Sequence, residues 1–191
     1  GELVIDSAAG EGTTIAAHFP VSPSSGLDED RRRMTALKWI GWENWKGPAE
    51  LYEQITHEDN WAASRLMLLL AGGNASLTKR EREWLAGYLT AASDAPWVVE
   101  RTATYDDGDT FDDIMNIPGV PMTARGNLYD AIRVCASDGP LTSEELLRLQ
   151  HGADSVGIAP DVVAELCEIV AAEHVLRDRR FELIVKPVLF G

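Results

Sequence analysis

The fold is decided by two stretches of sequence that align without a gap at a spacing of 64 residues. The first is Ser76-Leu77-Thr78-Lys79-Arg80-Glu81, and the second is Pro140-Leu141-Thr142-Ser143-Glu144-Glu145. Each contains a Thr-x-x-Glu capping box, in which the threonine and the glutamate satisfy each other's backbone N–H groups at the start of a helix. The match continues from Ala95-Pro96-Trp97-Val98-Val99 to Ala159-Pro160-Asp161-Val162-Val163. We therefore expect two copies of one helical unit.

Apolar residues recur at helical spacing behind both capping boxes, so each of these helices is expected to bury one face. Behind the first box they are Leu85, Tyr88, Leu89 and Ala92, and behind the second they are Leu146, Leu149, Ala153 and Val156. Pro96 and Pro160 are placed to open a third helix in each copy, since a proline in the first helical turn loses no hydrogen bond. Residues 60–71 are the most apolar helical segment, and we expect them at the centre of the fold.

The sequence predicts a mainly α fold, a duplicated helical bundle with a small β-hairpin at its N-terminus. We predict the hairpin at residues 1–20, a linker at residues 21–34 and the helical domain at residues 35–191. The two copies span about residues 60–103 and 124–175. The β-rich run Phe181-Glu182-Leu183-Ile184-Val185 is expected to add a strand near the C-terminus.

Composition limits the classes of partner. The chain has 191 residues, of which 45% are hydrophobic, enough to bury a core without disulfides. Its net charge of -14 disfavours nucleic acid and anionic membranes, because both would repel it. The apolar run at residues 66–71 is far shorter than the roughly 20 residues needed to span a bilayer. We expect a cytoplasmic protein with a protein partner, and no binding to nucleic acid or membranes.

The N-terminal residues suggest a family. Two β-rich runs flank Gly10-Glu11-Gly12, and the sequence Gly10-Glu11-Gly12-Thr13-Thr14 with the closing Phe19-Pro20 resembles the last hairpin of a histidine-kinase-type ATPase domain. The resemblance implies that Gly10, Gly12 and Thr13 lie beside a nucleotide. Other glycine and asparagine motifs of that family have no counterpart here, so most of the nucleotide site would lie outside this chain. Turn chemistry alone leaves Gly10 and Gly12 open as ordinary turn glycines.

The second copy suggests another family. An apolar helix, residues 131–136, runs into Asp138-Gly139, a hydrophobic residue and the helix-starting Glu145. This arrangement is similar to the tellurite-resistance TerB family, and the similarity extends over about residues 60–175. It implies a duplicated all-helical module in stress response or signalling, linked to metal ions. The first copy departs from the pattern, because Asn74-Ala75 stands where Asp-Gly is expected.

Two groups of carboxylates are candidate ligands for Ca²⁺ or Mg²⁺, both of which prefer oxygen ligands. One group lies in the link between the copies and comprises Asp106, Asp107, Asp109 and Asp112. The other is Asp138 with Glu145, seven residues apart across a glycine-containing turn. Solvation of the first group, and capping by the second, are the structural alternatives.

Aromatic residues, cysteines and missing motifs complete the interpretation. Trp39 and Trp42 would share a helix face, and we expect them in the core rather than at a partner-binding surface. Cys135 and Cys167 are expected as small core residues rather than as a redox pair.

No nucleophile elbow, zinc-protease helix or P-loop is present. The sequence therefore favours a non-enzymatic regulatory or protein-binding module, with a C-terminal fragment of a histidine-kinase-like ATPase as the alternative.

Overall fold

The computed structural model of the chain describes residues 2–8, 12–18, 29–45, 55–92, 95–106 and 108–190. The chain divides into two units, Gly1–Arg32 and Arg33–Gly191. The first unit contains strands β1, Glu2–Ala8, and β2, Gly12–His18, which pair antiparallel with Ile5 opposite Ile15. Gly12 opens β2 and Thr13 follows it in the strand, whereas Gly10 lies outside the described residues.

The other secondary-structure elements of the described residues are all helical, which confirms the predicted mainly α fold. In chain order they are α1 (Glu29–Trp45), α2 (His57–Leu70), a 3₁₀ turn (Asn74–Ser76), α3 (Lys79–Ala91), α4 (Pro96–Ala103), α5 (Phe111–Met115), α6 (Val120–Cys135), α7 (Ser143–Ser155), α8 (Pro160–Arg180), a π-helical turn (Phe181–Val185) and α9 (Lys186–Phe190).

The two predicted capping boxes are both present. The Thr78 hydroxyl accepts a hydrogen bond from the Glu81 N–H, and the Thr142 hydroxyl accepts one from the Glu145 N–H, each at 3.2 Å. As a result α3 and α7 begin at matching positions of the 64-residue spacing. The helices α4 and α8 also begin at matching positions, each opened by a proline.

The core surrounds α6, which packs against α2, α3, α5, α7 and α8. Leu128 and Ile132 of α6 and Leu66 and Leu70 of α2 are fully buried. Cys135 lies in the same core, and its burial raises the pKa of the thiol to about 12, so it stays protonated at neutral pH. Cys135 therefore behaves as the small hydrophobe that the sequence predicts.

The predicted C-terminal strand is wrong. Residues Phe181–Val185 form a π-helical turn that continues α8 directly into α9. No glycine or proline occurs from Asp161 to Lys186, and extending an existing helix avoids the cost of nucleation. An ion pair from Lys186 Nζ to Glu182 Oε2, 2.8 Å long, bridges one turn of this extension. Helix propagation here overrides the β-propensity of the side chains.

The predicted burial of the tryptophans of α1 is also wrong. Trp39 is 58% exposed and Trp42 is 66% exposed, whereas Leu37 and Ile40 are buried. The apolar residues do follow helical spacing, as predicted. They form two stripes on different sides of α1, however, and the stripe of aliphatic residues is the one that faces the protein. Among the described helices, none combines the length and the hydropathy that crossing a membrane requires.

Candidate functional site

The candidate site is the place where the first capping box meets the turn that precedes α7. The Thr78 hydroxyl accepts from the Glu81 N–H and donates to Asp138 Oδ2 at 2.9 Å. One threonine therefore joins the start of α3 in the first copy to the Asp138-Gly139 turn of the second. This bond brings a residue of each copy into one site although they are 60 positions apart in sequence.

Glu81 is the buried member of this site. Its side chain is 1% exposed, and Oε2 accepts a hydrogen bond from the Thr78 N–H, whereas Oε1 is buried without a hydrogen-bond partner. Burial raises the pKa of Glu81, the Thr78 hydrogen bonds lower it, and the charges of Asp138 and Glu145 raise it further. A buried carboxyl oxygen with no partner costs about 1–3 kcal/mol, so this group favours binding a proton or a cation.

The corresponding position in the second copy is arranged differently. Glu145 is half-buried, and its Oε2 accepts from both the N–H and the hydroxyl of Thr142, at 2.6 and 2.7 Å. Asn74, which occupies the repeat position of Asp138, donates through Nδ2 to the Tyr105 carbonyl at 3.1 Å. The site is therefore asymmetric: Thr78 of the first copy is joined to Asp138 of the second, whereas Asn74 is bonded to the Tyr105 carbonyl.

The acidic link between the copies contains separate pairings. Asp109 Oδ2 accepts from Arg65 at 3.0 Å and from the Tyr105 hydroxyl at 2.6 Å. Asp106 and Asp112 are exposed, and Asp107 lies outside the described residues. Among the residues that the structure describes, no three His, Cys, Asp or Glu side chains are grouped closely enough to hold a metal ion. Metal binding by either carboxylate group thus stays a prediction.

A buried cluster around Arg133 was missed by the sequence. The guanidinium lies 5.1, 5.7 and 5.3 Å from the ring centres of Trp84, Tyr88 and Tyr129. It pairs with Asp130 Oδ1 at 3.1 Å, and the Tyr88 hydroxyl donates to Asp130 Oδ2 at 3.0 Å. Burial raises the pKa of Asp130 to about 6, although Arg133 opposes this shift. Two pairs in the sequence could have indicated the cluster: a Trp and a Tyr one turn apart on α3, and an Asp and an Arg one turn apart on α6.

Asp130 also lines a groove between α1, α2, α3 and α6. The groove has a volume of about 600 Å³. Most of its wall is apolar, and its principal apolar residues are Leu37, Ile40, Ile55, Ala63, Met67, Leu89, Val120 and Met122. Asp59 and Asp130 contribute carboxylates to the wall. A volume of this size is in the range of binding pockets in proteins.

The comparisons with known proteins identify the fold. No protein-family model matches the chain, and no curated protein sequence matches it. A solved structure does match: the crystal structure of a tellurite resistance protein from Nostoc punctiforme, at a TM-score of 0.71 and 25% sequence identity. The match covers 81% of this chain and 94% of that chain. The chain has a TerB-like fold. None of the comparisons supports the resemblance of residues 1–20 to an ATPase hairpin.

The TerB-like fold agrees with the resemblance that was based on Asp138-Gly139 and the helix-starting Glu145. Glu81 is the residue at this turn that the sequence did not suggest as a ligand, because its capping role explained it fully. The signal available in the sequence was its position in the repeat, where Glu81 corresponds to Glu145.

Proposed function

We propose that this TerB-like chain is a non-enzymatic binding module in which a divalent cation, Ca²⁺ or Mg²⁺, links the two helical copies by drawing Glu81, Asp138 and Glu145 closer together than they lie in the described structure. The observation that carries the proposal is the buried Oε1 of Glu81, which has no hydrogen-bond partner and lies close enough to two other carboxylates for their charges to raise its pKa. The cation would neutralise a turn at which three acidic side chains repel one another.

The chemistry of these residues suits such an ion. Hard divalent cations take carboxylate oxygens as ligands and accept water at the remaining positions. Asp138 is exposed and Glu145 is half-buried, so both can be reached from solvent. Because Thr78 ties Asp138 to the start of α3, cation binding would act on both copies at once. A regulatory module could report the presence of the ion through the packing of its helices.

The proposed cellular role is in the bacterial stress response, through contacts with another protein. The similarity to a tellurite resistance protein supports this role. The net charge of -14 supports a partner with a basic surface. Deleting the gene should make its host more sensitive to tellurite, and a copy encoding Glu81→Gln should restore growth less well than the original gene.

We expect Ca²⁺ or Mg²⁺ to raise the melting temperature in a saturable way. An ion present at 100 times its dissociation constant adds about 2.7 kcal/mol of stability when it binds only the folded state. Thermal melting followed by tryptophan fluorescence measures this shift. Glu81→Gln and Asp138→Asn should each reduce the shift, whereas Asp112→Asn, which removes an exposed acid from the other carboxylate group, should leave it unchanged. No shift at millimolar ion would contradict the proposal.

We expect Glu81 to make stability depend on pH when no metal ion is present. Its pKa is raised in the folded protein, so the folded state binds more protons than the unfolded state between the unfolded value of 4.5 and the folded value. The free energy of unfolding should therefore fall as pH rises through that window and level off above it. Urea denaturation of Glu81→Gln should show a smaller fall. An equal fall in this variant would assign the pH dependence to other groups.

A further inference from the structure

The C-terminal helix extends beyond the buried core. Val170 of α8 is buried, but from Ala171 to Val188 no side chain is. These 18 residues continue as helix through the π-helical turn into α9, a length of about 27 Å at 1.5 Å per residue. Large apolar side chains on and just before this segment are exposed: Ile169, Val175, Leu176, Phe181, Leu183, Ile184, Val185 and Val188. Exposed apolar side chains in such number on one helical segment are typical of an interaction site.

The charge of this segment is opposite to that of the rest of the protein. Between Arg177 and Lys186 there are four basic and two acidic residues, in a chain whose net charge is -14. Ile169 and Leu176 are seven residues apart in α8, which places them on one side of that helix, and Leu183 follows in the π-helical turn. The segment therefore combines an apolar stripe with basic flanks. A surface that receives it should be apolar and should carry carboxylates.

The groove between α1, α2, α3 and α6 has these properties. Its wall is mostly apolar, and Asp59 is an exposed carboxylate on it. The other carboxylate of the wall, Asp130, is buried and already paired with Arg133, so Asp59 is the charge that faces a partner. Burying an amphipathic helix in an apolar groove is a common mode of recognition between proteins. The helix cannot turn back into the groove of its own chain without breaking, because α8, the π-helical turn and α9 are continuous from Pro160 to Phe190.

We propose that the C-terminal helix of one copy of this protein docks into the groove of a second copy. The contact joins two different surfaces, so each copy that donates its helix still offers its own groove. Head-to-tail contacts of this kind close into a ring or continue into a chain of copies. The interface is apart from the Glu81 site, and the failure of either proposal leaves the other standing.

Complementation between two variants tests the contact. Leu176→Glu/Leu183→Glu places charges on the docking helix at exposed positions, and Ala63→Trp fills the groove. Each variant alone should have the mass of a monomer in light scattering after size exclusion, whereas the wild-type chain should have a larger mass. An equal mixture should contain a one-to-one dimer, because one variant supplies an intact groove and the other supplies an intact helix.

Control variants keep this test decisive. Circular dichroism and thermal melting show whether Ala63→Trp folds. If it does not, Thr123→Trp replaces it, because Thr123 is an exposed residue of the groove. Leu147→Glu changes an exposed leucine of α7 and should leave the wild-type mass unchanged.

Three results would overturn the proposal. The first is a wild-type chain that stays monomeric at the highest concentration reached. The second is association that survives filling of the groove but not the helix substitutions, which would indicate a symmetric contact between two C-terminal helices. The third is binding of a wild-type monomer to phosphatidylglycerol vesicles, lost in the helix variant, which would assign the helix to a lipid surface.

Discussion

Replacing Arg133 with methionine is expected to lower the free energy of unfolding by about 3–5 kcal/mol at alkaline pH, because the substitution leaves the ionised, buried carboxylate of Asp130 without its counter-charge. The ion pair is 3.1 Å long, and both side chains are largely removed from solvent. The same substitution removes the cation that lies over the three rings of Trp84, Tyr88 and Tyr129. Methionine keeps much of the apolar length of the side chain, so the loss reports mainly on the charge.

Arg101→Met is the matched control for this prediction. Arg101 lies 5.0 Å from the ring centre of Trp97, but it is exposed, and its contact with the ring is worth about 0.5–1 kcal/mol. Equal losses in the two variants would show that the pairing with Asp130 contributes nothing beyond the contact with the rings. Urea denaturation of Arg133→Met, Asp130→Asn and the double variant gives the coupling energy between the two side chains.

The pH dependence provides a second measure of the same pair. The pKa of Asp130 is raised to about 6 in the folded protein, from 3.8 as the ordinary value. Stability should therefore fall as pH rises from about 4 to 6, because the folded state holds the proton more tightly than the unfolded state in that range. Arg133 lowers this pKa, so its removal should extend the fall to higher pH.

The capping boxes and the helices behind them could be predicted because each depends on residues that are close together in the sequence. A capping box lies within four consecutive residues, so Thr78 with Glu81 and Thr142 with Glu145 could be identified before any tertiary contact was known. The helix positions behind each box follow from apolar spacing alone. The Asp138 turn was found in the same way, through a motif of adjacent residues.

Tertiary contacts explain what the sequence could not predict. The cluster around Arg133 requires α3 to lie beside α6, since Tyr88 and Asp130 are 42 residues apart. The isolation of Glu81 Oε1 depends on burial, which its role in the capping box does not indicate. Periodicity also fails to say which of two apolar stripes on α1 faces inward, and it placed Trp39 and Trp42 on the wrong side. At residues 181–185, the preceding helix continues in spite of the high β-propensity of the side chains.

Replacing Leu149 with alanine is expected to destabilise the protein by about 2–5 kcal/mol, because it removes buried methyl groups and leaves a cavity in the core. Leu149 is 0% exposed in α7. At Gly152, α7 lies close to α2: a Cβ built there would come within 3.1 Å of the Leu70 Cα, so neighbouring backbone already limits how far the core can close around the cavity.

Leu147 in the same helix gives the matched comparison, because it is 65% exposed. Leu147→Ala removes the same atoms from a position facing solvent and should change stability by no more than about 0.5 kcal/mol. Urea denaturation should show a lower midpoint for Leu149→Ala with an unchanged slope, which is the signature of lost stability rather than of altered compactness. Similar losses of stability in the two variants would mean that the face of α7 that carries Leu149 is not buried. The packing of α7 against the core would then be wrong.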